Sequence, residues 1–142
     1  MKRVKSKGFT LMELLVVVIL IGLIFSVIFP EIKTKYEKYV GSLEAEKIIL
    51  FLLKKKRESF LYGKEIEIFV KDGILCTDEG ERFKPEKGYL QIESSLKFYP
   101  LGSTNGGKIY FNFGKITFLI QVKAPFGEIS LEEVFNETFA SK

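Results

Sequence analysis

The sequence predicts an α+β protein. One long N-terminal helix, its first half transmembrane and kinked near Pro30, packs on an antiparallel β-rich head of two small sheets or a sandwich. Three observations lead there. From Phe9 to Phe29 the side chains are apolar except for Thr10, Glu13, Gly22 and Ser26. Beyond Pro30 apolar residues recur at helical spacing toward Gly63, and from Glu65 the period falls from 3.6 to 2. The remainder of the chain is a series of short alternating stretches punctuated by Gly and Pro, which favours antiparallel sheets over βαβ units.

The first eight residues are basic, with Lys2, Arg3, Lys5 and Lys7. The chain has 22 Lys and Arg against 18 Asp and Glu over 142 residues, so these four cations account for the whole excess. The body is balanced, and its charge points to no nucleic-acid partner. A basic start before an apolar run is the pattern of a secretory signal peptide, a permanent anchor or an intermediate of the two. Counted from Phe9, the run of about 21 residues is long enough, at 1.5 Å each, to cross a ~30 Å hydrocarbon core. No small-residue secretory cleavage site comes after it; the chain continues Pro30, Glu31, Ile32, Lys33. The cationic flank places residues 1–8 on the cytoplasmic side and the body outside. Glu13 is the single charge within the run, and a carboxylate there is costly unless neutralised, which makes it a functional candidate. A simple signal anchor gives no reason for it.

Pro30 removes a backbone donor and crowds the preceding turn, so the helix is expected to kink there. The following half is amphipathic, with Ile32, Tyr36, Val40 and Leu43 on one stripe. Residues 48–53 are apolar on every side and call for cover all round. Lys54, Lys55, Lys56 and Arg57 read as a solvated face near the helix C-terminus, where cations suit the dipole, and Gly63 as the stop. Strands are expected around Ile66, Ile68 and Val70, then at 74–77, 89–93, 96–99, 108–113, 116–122 and 128–131. Turn signals at Lys71 to Gly73, Asp78 to Gly80, Pro85 to Gly88, Gly102 to Gly107, Gly114 and Pro125 to Gly127 separate them. Ser130 to Glu133 has the pattern of a capping box, which opens a short helix through Phe139 unless the strand simply continues.

Little in the body suggests catalysis. Histidine is absent, Cys76 is alone, and no nucleophile–base pair is visible. Gly102 to Gly107 lacks the Gly-Lys-Ser/Thr ending and precedes a strand, so it reads as a flexible hairpin loop rather than a phosphate cradle. Asp78, Glu79 and Glu81 lack the spacing of a calcium loop and read as a solvated turn. No catalytic residue, cofactor or metal is expected.

Residues Lys7, Gly8, Phe9, Thr10, Leu11, Met12, Glu13 and the apolar residues through Ile19 resemble the processing and methylation signature of type IV prepilins and type II secretion pseudopilins. The likeness spans roughly residues 5–30, with Pro30 where that family kinks its helix. Met12 stands in place of a commoner Ile, and Phe25, Ile28 and Phe29 are bulkier than is usual there. The resemblance implies cleavage between Gly8 and Phe9 by a prepilin peptidase and N-methylation of Phe9. It further implies storage as a single-pass subunit of the inner membrane, then assembly through an inner-membrane platform into a filament of pilin or pseudopilin subunits. The chain then divides into a leader (1–8), a transmembrane and filament-core helix (9–30), the amphipathic half of that helix (31–63) and a β-rich head (64–142). Cleavage creates an amine at Phe9 one helical turn from Glu13, so in a filament Glu13 of one subunit is expected to neutralise Phe9 of the next. The competing expectation is that Glu13 pairs within its own subunit or reaches the membrane surface.

A second stretch, Leu96 through Phe111 with Ile116 to Val122 and Gly127 to Ile129, is similar to the core of H-type minor pseudopilins and FimT-like minor pilins. Glu128 stands where that group often carries Arg, which weakens a DNA-binding role. The expected function is a minor, H-like subunit of a type II secretion pseudopilus; the alternative is a minor type IV pilin serving pilus assembly or DNA uptake.

Overall fold

The structure, a computed structural model, describes residues 8–135. The basic leader up to residue 7 and residues 136–139 of the expected C-terminal helix lie outside the described residues. The elements run α1 (Leu11–Tyr62), β1 (Ile66–Lys71), β2 (Ile74–Thr77), β3 (Arg82–Phe83), β4 (Tyr89–Ile92), β5 (Leu96–Phe98), β6 (Gly107–Phe113), β7 (Ile116–Lys123) and β8 (Glu128–Phe135). The chain divides into two compact units, with the boundary between Tyr36 and Glu37.

In the first unit every described side chain is exposed, including the whole apolar run. α1 continues through Pro30 as one helix of 52 residues, and the hydroxyls of Ser26 and Thr34 bond back to the carbonyls of Leu23 (2.7 Å) and Pro30 (3.2 Å). A helix this apolar with no protein cover needs hydrocarbon or other subunits around it.

In the second unit, α1 buries Gly41, Glu44, Ala45, Ile48, Phe51, Leu52, Lys55 and Ser59, one face at three- and four-residue spacing. This is not the stripe expected from Tyr36, Val40 and Leu43: Leu43 is exposed and Val40 half-buried. Small residues decide the matter. A Cβ on Gly41 would lie 2.6 Å from Phe118 Cε2, so the helix can seat closely on the sheet only where it has almost no side chain. The helix ends as predicted. Gly63 takes φ 61°, and the Lys64 amide donates to the Ser59 carbonyl at 3.1 Å, closing the C-terminus in a Schellman pattern.

The strands form two antiparallel four-stranded sheets, ordered β3-β2-β1-β5 and β4-β6-β7-β8. Asp72 and Gly73, both with positive φ, form the tight turn joining Lys71 to its partner Ile74. The core gathers the inward positions of both sheets, Ile66, Ile68, Leu75, Leu96 and Phe98 from one and Ile109, Phe111, Phe118, Ile120 and Val122 from the other, against Ile48 and Leu52 of α1. Phe111 and Phe118 stack with ring centroids 6.1 Å apart. The fold class is therefore the expected one: a long helix with an apolar start, packed through its second half on two antiparallel sheets.

Three local expectations are corrected. Arg82 and Phe83, between two turn signals, form the short edge strand β3, held because Phe83 packs on Phe51 at 5.5 Å. Residues 130–135 continue β8 instead of opening a helix; their register with β7 is unbroken from Lys123↔Glu128 to Ile116↔Phe135, and Ile129 and Leu131 pack on the core. The glycine-rich loop is pinned rather than flexible. Thr104 is buried and bridges Phe98, its amide bonds Pro125 O (2.9 Å), and Asn105 accepts from Lys97 N (2.7 Å) and donates to Ser95 O (2.9 Å).

Candidate functional site

The residues singled out at the N-terminus occupy the first turn of α1. Thr10 is the N-cap: its carbonyl accepts the Leu14 amide (3.2 Å), and its hydroxyl accepts the Glu13 amide (3.2 Å). Glu13 reaches back, its Oε2 accepting from the Thr10 amide (3.1 Å) and hydroxyl (3.3 Å). This reciprocal pair is a capping box, which satisfies amides that the helix itself leaves without partners. The signal was present in the sequence as Thr-x-x-Glu before an apolar run. Weighing Glu13 only as a charge hides it, and Thr10 is the functional residue thereby missed.

Within the chain, Glu13 Oε2 is thus engaged by Thr10. Its carboxylate also sits at the helix N-terminus, where the backbone dipole favours negative charge. Phe9 is directly before the cap and 78% exposed, and Gly8 has no heavy atom within 4 Å of where a Cβ would stand. Among the described residues nothing crowds the peptide bond between them. Pro30 lies exposed within α1, well away in sequence from this cap.

The second unit contributes an exposed apolar helix face opposite the buried one. Leu50, Leu53 and Phe60 are exposed, and Leu101 (90% exposed) lies with Leu53 and Phe60 along a shallow groove of about 290 Å³. Residues 48–53 are thus covered on one side only, by the sheets.

The basic run beside that face is not one solvated patch. Lys55 is 1% exposed, stands over the Phe51 ring at 5.9 Å and pairs with Glu58 (2.6 Å) and Glu81. Lys54 bonds Glu81 at 2.9 Å, and Lys56 donates to the Phe126 carbonyl at 2.6 Å. Burial works against the Lys55 ammonium, yet its bonds to Glu58 and Glu81 outweigh this and raise its pKa. The bonds from Lys55 and then Lys54 hold the Glu81 carboxyl below its ordinary value of 4.5. With Lys64 on Glu79 and the Glu67 amide on Asp78, the three clustered acids are engaged by the protein itself. Among the described residues no cluster of metal-ligating side chains forms.

A depressed carboxyl stabilises the fold above its unfolded pKa, and that contribution is lost as pH falls through the folded value. The melting temperature of the full chain in detergent should therefore fall on acidification from about pH 5 to pH 3. In Glu81→Gln that acid limb should flatten; an unchanged limb would show that Glu81 does not couple to folding.

In comparison with known protein families, residues 3–29 fit the prokaryotic N-terminal methylation motif. Neither the curated proteins nor the solved structures yield a match. An apolar-headed helix with this motif, followed by two antiparallel sheets, is an α+β architecture of pilin-like type. The motif supports a filament subunit of the pilin and pseudopilin class, a structural role rather than an enzymatic one. It further implies processing by a prepilin peptidase and assembly with other pilin subunits, and with the apolar helix it is compatible with membrane anchoring before filament entry.

Proposed function

We propose that the chain is cleaved between Gly8 and Phe9, methylated on Phe9, held in the inner membrane by residues 9–30 with the body outside, and then drawn into a filament as a minor, H-like pseudopilin of a type II secretion system. The observation that carries this reading is the exposed Gly8–Phe9 bond followed at once by the Thr10–Glu13 cap and an uncovered apolar helix. Cleavage there liberates a cationic amine beside the cap. The Glu13 contacts with Thr10 use Oε2, which leaves Oε1 to meet the Phe9 amine of a neighbouring subunit. Pro30 bends the helix between its membrane and head portions, and the face of Leu50, Leu53 and Phe60 packs against neighbours in the filament. Eight strands in two sheets form a larger head than one small sheet, which favours the H-like assignment.

The test is mass spectrometry of the native protein's N-terminus, in which the mature chain should begin with N-methyl-Phe9. A chain that still begins at Met1 would overturn the proposal. Deletion of the gene separates secretion from piliation: lost export of secreted enzymes supports a pseudopilin, whereas lost pili or DNA uptake with intact export supports a minor type IV pilin.

A further inference from the structure

The outer face of the second sheet carries a cleft. Its volume is about 690 Å³, within the range of about 300–1,000 Å³ typical of small-molecule pockets. Strand register explains how it is built. Tyr89 on β4 lies opposite Asn112 on β6, which lies opposite Thr117 on β7; one row along, Gln91 lies opposite Tyr110. Because alternate residues share a face, these side chains point away from the core that Leu90, Ile109, Phe111 and Phe118 fill from the other side; Tyr89 and Gln91 are exposed, Tyr110 and Asn112 half-buried and Thr117 buried. Ile92 and Glu93 also line it.

The groups are partly ordered by one another. The Tyr110 hydroxyl donates to Glu93 Oε1 at 2.6 Å, and the Thr117 hydroxyl donates to Asn112 Oδ1 at 2.7 Å. The Tyr110 ring and the Asn112 amide are thereby held in place before any ligand arrives, which lowers the ordering cost of binding. Tyr89 is 54% exposed, so one ring presents itself to solvent.

The chemistry of this lining selects its ligand. Tyrosine offers a broad apolar face with a polar tip at low conformational cost. Asn and Gln amides each donate and accept, the combination that matches a hydroxyl, which does the same. Among the described residues the lining contains no Lys or Arg and its one charge is a carboxylate, which disfavours phosphate and uronate polymers. A lipid chain or apolar peptide would bury the amides without partners, at about 1–3 kcal/mol for each group left unsatisfied. A neutral pyranose chain has apolar C–H faces for the rings and equatorial hydroxyls for the amides.

We propose that this cleft, lined by Tyr89, Gln91, Glu93, Tyr110, Asn112 and Thr117, binds a neutral oligosaccharide. The site is independent of the N-terminal processing signal, so the subunit carries a glycan-binding surface in addition to its place in a filament.

The full chain in a non-glycosidic detergent can be titrated with hexamers of β-1,4-linked N-acetylglucosamine and of β-1,4-linked glucose. Tyrosine fluorescence is a clean readout because the chain has no tryptophan. One or both hexamers should bind with Kd of about 0.1–1 mM, or roughly −4 to −5.5 kcal/mol. Preference for the acetamido sugar would assign a cell-wall type of glycan, and preference for the glucan a free polysaccharide. Tyr89→Ala and Gln91→Ala should each weaken binding about tenfold, whereas Tyr36→Ala in the other unit should not change it. Unchanged melting temperatures would establish that the variants fold. Absence of binding by the wild-type chain at about 10 mM hexamer would overturn the proposal. So would wild-type affinity in Tyr89→Ala, or equal binding of an oligogalacturonate.

Discussion

Glu13→Gln is expected to leave cleavage between Gly8 and Phe9 intact while reducing the amount of subunit recovered in sheared filaments at least about tenfold, equivalent to 1.4 kcal/mol or more. Glutamine at this position still closes a capping box, so the substitution removes the charge and spares the cap. In the filament reading, the amine of a neighbouring Phe9 is then left buried and unpaired, which costs about 3–5 kcal/mol. Thr10→Val is the complementary variant. It removes the capping hydroxyl, at about 1 kcal/mol, and keeps the carboxylate. Immunoblots of filament and membrane fractions separate the two roles. If Glu13→Gln enters filaments as well as the wild type while Thr10→Val does not, Glu13 serves helix capping alone and the charge-pair proposal fails.

Phe118→Ala is expected to lower the stability of the second unit by about 3–5 kcal/mol, the usual cost of emptying a buried aromatic site. Phe118 is fully buried, stacks on Phe111 and lies under the point where Gly41 lets α1 approach the sheet. Its neighbours come from three elements held in fixed register, so they cannot all collapse into the space. That loss is a large part of the about 5–15 kcal/mol typical of a whole domain. Denaturant unfolding of the full chain, followed by circular dichroism in the β region, measures it; a loss under about 1 kcal/mol would show that α1 and the sheet repack freely.

Local periodicity and turn chemistry made most of the strands legible. The Asp72–Gly73 turn, the alternation of Ile66 and Ile68 and the stop at Gly63 each depend on a few neighbouring residues, and the structure places them as expected. Features that depend on distant partners were not legible. Arg82 and Phe83 become a strand only because β2 lies beside them and Phe51 covers Phe83. Ser130 to Glu133 satisfies a helix-start pattern, yet eight ladder pairs with β7 outweigh a single cap. Lys55 sits in a run of four cations, and nothing local tells it from Lys54, since Glu58 lies within reach of both; Glu81, 26 residues away, joins Glu58 in making its burial tolerable.

Sequence alone determined that an apolar helix with one carboxylate leads an antiparallel β body, because hydrophobic period and a lone charge are properties of consecutive residues. Tertiary structure decided which helical face is buried, which lysine loses its water and which side chains of the outer sheet converge on a cleft. Those outcomes are set by contacts between residues far apart in the chain, where packing at Gly41 and strand register at Tyr89 and Asn112 leave no local trace.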